Sequence, residues 1–227
     1  MRNAGIKQLL ITYSLVLVHM AVFFVSAGGF TARAWLFFGA AFVHYSLSTA
    51  VQYKLNPDLL VQRLKRRREG SKLWDEILMR ANNLVALIGM PAVAGLDVGR
   101  FHLSDIHASL VVVGLGSFTF STILLNWAMI VNPHFEPTVR IQMDRDHSVI
   151  AGGPYKIIRH PGYMAGILYA VSFPLIIGSL YTFIPAGIYI LLTLIRTLLE
   201  DRTLQEELNG YSEYTKRTRH RLLPGVW

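Results

Sequence analysis

The sequence predicts an all-α, polytopic transmembrane bundle with about six spans, a C-terminal helical hairpin and a cytoplasmic tail. Three observations predict it. Of 227 residues, 52% are hydrophobic and only 16% charged. The apolar residues are blocked into runs close to the roughly 20 that a helix needs to cross the hydrocarbon core. The bases then concentrate in alternate loops, as membrane topology requires.

The apolar runs are Leu9–Ala27, Trp35–Tyr53, Leu84–Gly99, Leu110–Val131, Met164–Leu180 and Phe183–Leu199. Helices are the default, because open sheet leaves backbone groups unsatisfied in lipid. The first run is too long for the apolar region of a signal peptide and is read as a retained helix. The third is short and contains Pro91. The last two are joined by almost nothing and form a hairpin.

Lysines and arginines crowd Lys54–Arg80, the stretch from Pro133 to His160, and the tail. The remaining loops hold only Arg33 and Arg100. Six spans put every basic loop on one side, with both termini cytoplasmic. The net charge of +8 therefore reads as topology, not as a nucleic-acid surface. With no cysteine in the chain, disulfides, thiolate catalysis and Cys-ligated metals are excluded. Two parts are expected: residues 1–132, with helices and a basic cytoplasmic loop at 54–82, and residues 133–227, carrying the chemistry. In the basic loop, Leu73, Trp74, Ile77 and Leu78 are spaced for one face of a short interfacial helix. Arg63–Arg68 is a run able to meet anionic lipid headgroups, although a plain topology signal is the preferred reading.

Two stretches carry candidate chemistry. The first is Gly153-Pro-Tyr-Lys-Ile-Ile-Arg-His-Pro-Gly-Tyr163, followed by Gly166. Pro161 suits the first turn of a helix, which puts His160 near its N-cap. The free N–H groups there can hold an anion, with Arg159 and His160 adding donors and Tyr155 and Tyr163 adding aromatic faces. The second is Arg196-Thr-Leu-Leu-Glu200-Asp201. Arg196 and Glu200 lie one helical turn apart, and an arginine inside an apolar run needs a cavity or a partner. Elsewhere, His19 and His44 read as interhelical hydrogen-bonding groups and not as metal ligands. Asp97 and Arg100 read as a pair, and Gly114 and Gly116 as close-packing positions.

The joint pattern Gly-x-Tyr-x3-Arg-His-Pro-x-Tyr-x2-Gly, a hydrophobic hairpin, Arg-x3-Glu-acid-x2-Leu, then Tyr-x2-Tyr and a late proline resembles the isoprenylcysteine carboxyl methyltransferase family. The likeness covers about His147 to Pro224. It implies a membrane enzyme using S-adenosylmethionine to methylate a lipophilic or lipidated acceptor that bears a carboxylate. It implies cofactor contacts from His147, Ser148, Val149, Ile150, Tyr155, His160, Pro161, Tyr163 and Glu200, with Gln142 a further match. Arg196 would hold the acceptor's carboxylate, with Arg159 beside the reacting groups. The family's paired glutamates read Glu200-Asp201 here, and its aromatic-Gly pair before the tail tyrosines reads Leu208-Asn209-Gly210. The alternatives are an NADPH-dependent membrane reductase related to sterol reductases, which also carry an Arg-His-x-x-Tyr block, and a non-catalytic membrane protein.

Overall fold

A computed structural model describes residues 2–64, 69–104 and 106–227. Within them the chain is all-helical. Helix α1 is Arg2–Ala27 and α2 is Ala32–Leu55. Thr31 starts α2 by accepting a hydrogen bond from the Ala34 N–H, the usual service of an N-cap hydroxyl. Asn56 then caps the short α3 (Pro57–Arg63), with Pro57 in its first turn and the Asn56 amide reaching the Met129 carbonyl. Helix α4 (Leu73–Leu84) continues through a π-helical turn at Val85–Gly89, α5 (Met90–Ala94) and a second π-helical stretch at Gly95–Phe101. Helix α6 is Ser109–Val131, α7 Pro161–Ile177, α8 Phe183–Glu207 and α9 Tyr211–Arg217.

Every apolar run read from the sequence falls on a helix. Five helical stretches are long and apolar enough to cross a membrane: Ala4–Ala27, Ala32–Leu55, Leu73–Phe101, Ser109–Val131 and Phe183–Glu207. Helix α7 is apolar but shorter. The bundle packs around Phe23, Phe37, Phe38, Phe118, Phe173 and Ile176. Its outer faces carry exposed Leu10, Val112, Ile123, Ile184 and Leu191, the distribution expected where lipid is the solvent.

The third apolar run tolerates Pro91 by widening the turn before it, where the Met90 N–H reaches back to the Val85 carbonyl. Residues Leu73 to Leu78 do not form a separate interfacial helix. They begin the long third helix, with Asp75 and Asn82 inward and Leu73, Ile77 and Leu84 outward. Lys65, Arg66, Arg67 and Arg68 lie outside the described residues.

Several smaller expectations resolve in detail. His44 bonds across helices to the Thr119 hydroxyl at 3.1 Å. His19 instead packs among Phe37, Phe38 and Phe173, and its Nε2 has no partner among the described residues. A side chain at Gly114 would crowd Ile176, but one at Gly116 would meet nothing. Asp97 and Arg100 do not pair. Asp97 accepts from Ser104, Ser179 and the Tyr181 N–H, clamping the turn between α7 and α8, while Arg100 reaches the Val25 carbonyl. The hydroxyls and free amide of that turn sit closer to the carboxylate than its own helical neighbour.

Candidate active site

The site is assembled where the segment between α6 and α7 meets the tail. Gly153 has a positive φ of 54°, and a Cβ there would lie 2.8 Å from Val131 and 2.9 Å from the Trp127 indole nitrogen. Only glycine suits both demands. The turn Gly153–Lys156 that follows lowers Tyr155 into the protein. The Asn132 amide donates to the Tyr155 hydroxyl at 3.1 Å, and the Tyr155 carbonyl accepts from the Tyr214 hydroxyl at 2.7 Å. Burial raises the pKa of Tyr155 and Tyr211 and pushes Tyr214 up to about 12. These phenols are therefore neutral donors at physiological pH.

Arg159 and His160 are tied to the tail, their N–H groups donating to the His220 and Arg221 carbonyls at 2.9 and 3.0 Å. Pro161 then opens α7 as expected, although the His160 side chain does not cap it. Both side chains turn to Asp201, which is fully buried. Arg159 forks onto its two oxygens at 2.8 and 2.9 Å and gives its remaining Nη1 to the Thr218 and Arg219 carbonyls. His160 Nε2 lies 3.1 Å from Asp201 Oδ1. Tyr211, Gln205 and Arg221 also donate to this carboxylate. Burial opposes the charge of Arg159, but its hydrogen bonds to the Asp201 carboxylate and that group's charge outweigh it and raise its pKa. The donors that the sequence offered to a ligand's carboxylate are thus largely engaged by a carboxylate of the chain itself.

Glu200, one residue earlier, turns the other way and accepts from the Tyr163 hydroxyl. The Tyr163 ring lies parallel to that of His160, at 5.8 Å between centroids. The Arg196 guanidinium sits over the other side of the site, 5.3 Å from the Tyr163 ring centre. Its fork is taken by Asp75, at 2.5 and 3.1 Å, and Nη2 also reaches the Pro137 carbonyl. Nη1 takes part in none of these bonds. Asp75 additionally accepts from the Val139 N–H at 2.8 Å, so one buried acid ties α4, α8 and the loop between α6 and α7.

That loop supplies the third wall. The rings of His134 and His147 lie 4.5 Å apart. His147 Nδ1 accepts from the Gln142 N–H, and the Gln142 amide donates to the His134 carbonyl. Burial lowers the pKa of His147 to about 4, with His134 and nearby arginines adding to the effect, and burial also lowers that of His134. His134 Nδ1 is buried with no hydrogen-bond partner among the described residues. Arg140 is held by Glu136 and Asp144, each at 2.8 Å. Hydrogen bonding to Glu136, above all, raises its pKa.

These walls enclose a cavity of about 470 Å³. The residues that the resemblance assigned to the site line it: His147, Val149, Ile150, Tyr155, Arg159, His160, Pro161, Tyr163, Arg196 and Glu200, together with Ser148 and Gln142, whereas Asp201 lies behind the wall. The lining also draws on helices before residue 132, including Tyr45 and Phe118. Sequence reading missed Asp75, His134 and these membrane-embedded residues. For Asp75 a signal existed: it shares a face with Asn82, seven residues on, opposite the apolar Leu73 and Ile77.

Comparison with known families bears on this geometry. Residues 112–209 match the isoprenylcysteine carboxyl methyltransferase (ICMT) family. The ICMT segment runs from within α6 to just short of α9, and it contains every site residue named from the sequence. Asp75 and the tail from Tyr211 onward lie outside it. A search of curated proteins finds no match. At family level the match supports a membrane methyltransferase, and ICMT-family methyltransferases generally use S-adenosylmethionine.

Proposed function

We propose that the protein transfers a methyl group from S-adenosylmethionine to a lipophilic, carboxylate-bearing acceptor at the cytoplasmic face of its membrane. One observation carries this reading. Residues as distant in sequence as His147, His160 and Glu200 line a single cavity, inside the ICMT-matched segment.

The lining suits the cofactor. Glu200 offers a carboxylate to an ammonium or to ribose hydroxyls. Tyr155, Val149 and Ile150 form an aromatic and apolar wall for a flat ring. The volume falls among those of small-molecule sites, roughly 300–1,000 Å³. When bound, S-adenosylmethionine supplies an electrophilic methyl group. The chain's own contribution is to bind, align and exclude water, because a direct displacement is governed by positioning. A carboxylate acceptor is already ionised near neutral pH, so no general base is required. In this reading Arg159 is a positioning residue that braces the tail. Arg196, oriented by Asp75, keeps one nitrogen for the acceptor.

Binding of S-adenosylhomocysteine to the purified protein in detergent, measured by calorimetry, tests the reading. Glu200→Gln is expected to weaken that binding by about 1–3 kcal/mol, the cost of disturbing a buried charged partner. NADPH is expected not to bind. Binding of NADPH without binding of S-adenosylhomocysteine replaces this reading with the reductase.

A further inference from the structure

The cavity does not end at the polar site. It continues between the helices to Tyr45 on α2, Tyr169 on α7 and Tyr189 on α8, with the fully buried Phe118 set between the first two. Tyr189 lies seven residues from Arg196 and Tyr169 six from Tyr163. At about 1.5 Å of rise per residue, that puts them roughly 9–10 Å below the reacting end, within the span.

Phenol at this depth needs a reason. Phenylalanine would pack as well, and a hydroxyl without a partner in apolar surroundings costs free energy. Yet the hydroxyls of Tyr45 and Tyr169 make no hydrogen bond among the described residues, and both side chains are half-buried on the wall of the cavity. The Tyr189 hydroxyl lies against Gly166, where a Cβ would come within 2.8 Å of it, so α7 leaves room for the oxygen. A tunnel meant for plain hydrocarbon gains nothing from such a girdle.

We infer that the acceptor carries a hydrogen-bonding oxygen, a hydroxyl or carbonyl, in the middle of its lipophilic body, and that Tyr45 and Tyr169 recognise it. The inference rests on the methyltransferase reading for the position of the acceptor's head, and it concerns a separate part of the cavity.

The test uses the purified full chain, saturated with S-adenosylhomocysteine, and two probes: octadecanoate and its mid-chain hydroxy derivative. Their dissociation constants are compared for the wild type and for the double variant Tyr45→Phe/Tyr169→Phe. The hydroxy acid is expected to bind roughly 3- to 10-fold tighter to the wild type, the worth of one or two net hydrogen bonds. The double variant is expected to lose that preference while its octadecanoate and S-adenosylhomocysteine affinities stay unchanged. Equal binding of the two acids by the wild type overturns the inference, as does a preference that survives in the double variant. Failure of S-adenosylhomocysteine to bind counts against the methyltransferase reading instead. The same acid pair measured without it still decides the role of the phenols.

Discussion

Glu200 and Asp201 are adjacent acids with separate tasks, and a helix allows this because neighbouring side chains point about 100° apart. Glu200 meets the cavity, while Asp201 collects Arg159, His160, Gln205, Tyr211 and Arg221 into one buried cluster. The spacing of the motifs made Glu200 legible in the sequence. The work of Asp201 was not, because it depends on a tail that returns from residues 211 to 221. Asp201→Asn leaves buried cations uncompensated. It is expected to destabilise the protein by about 3–5 kcal/mol and to speed proteolysis of the tail, read by thermal unfolding in detergent and timed digestion. A second residue-scale effect follows from His147. Its pKa of about 4 lies below the ordinary 6.5, so between those values the unfolded chain binds more protons than the folded one. Stability therefore rises with pH across that window and is lost as pH falls through it. His134 acts in the same direction. His147→Asn is expected to flatten this acid limb in a plot of unfolding temperature against pH.

Apolar runs revealed the helices because hydropathy reports lipid exposure directly. It is silent on which helices touch. Helix α1 meets the third long helix at close range, where a side chain at Gly95 would overlap the Phe23 backbone and one at Gly99 would overlap Ala27. The two glycines are four apart and lie on one face, the small-x3-small spacing that lets membrane helices meet backbone to backbone. That signal stands in the sequence on either side of Asp97. Gly99→Val is expected to cost about 1–3 kcal/mol through overpacking, measured as a lowered unfolding temperature, whereas Gly116→Val is expected to be neutral. The mistaken interfacial helix at Leu73 has a related cause. An apolar face at Leu73 and Ile77 suits a helix lying in the interface and the lipid side of a spanning helix alike, and here the inward face of α4 carries Asp75 and Asn82.

At the scale of the molecule, hydrogen bonds group the loops at two ends. Arg63 reaches Phe135 and Lys72 reaches Val139 and Glu207 at the site's end. Arg33 reaches Ile106 and Asp97 reaches Ser179 at the other. We propose six crossings, α7 being the shortest, with the basic loops facing the cytoplasm. Reporter fusions are expected to score as external at residues 30 and 104 and as internal at 227; an external score at 227 removes the six-span arrangement. The Asp75–Arg196 pair has a consequence for how the protein is made. Arg196 lies near the end of the apolar part of α8 and is among the last charges within an apolar run to leave the ribosome. Unpaired, it opposes insertion by less than the roughly 2.5–3.5 kcal/mol of an arginine at the centre of a span. Asp75 is synthesised 121 residues earlier and already stands at the same end of the bundle as a counterion. The ion pair thus makes α8 dependent on α4 for its entry. Asp75→Ala is expected to leave a fraction of newly made chains with α8 not inserted, visible as a mixed reporter signal at residue 227 even when the cells are sampled before any degradation.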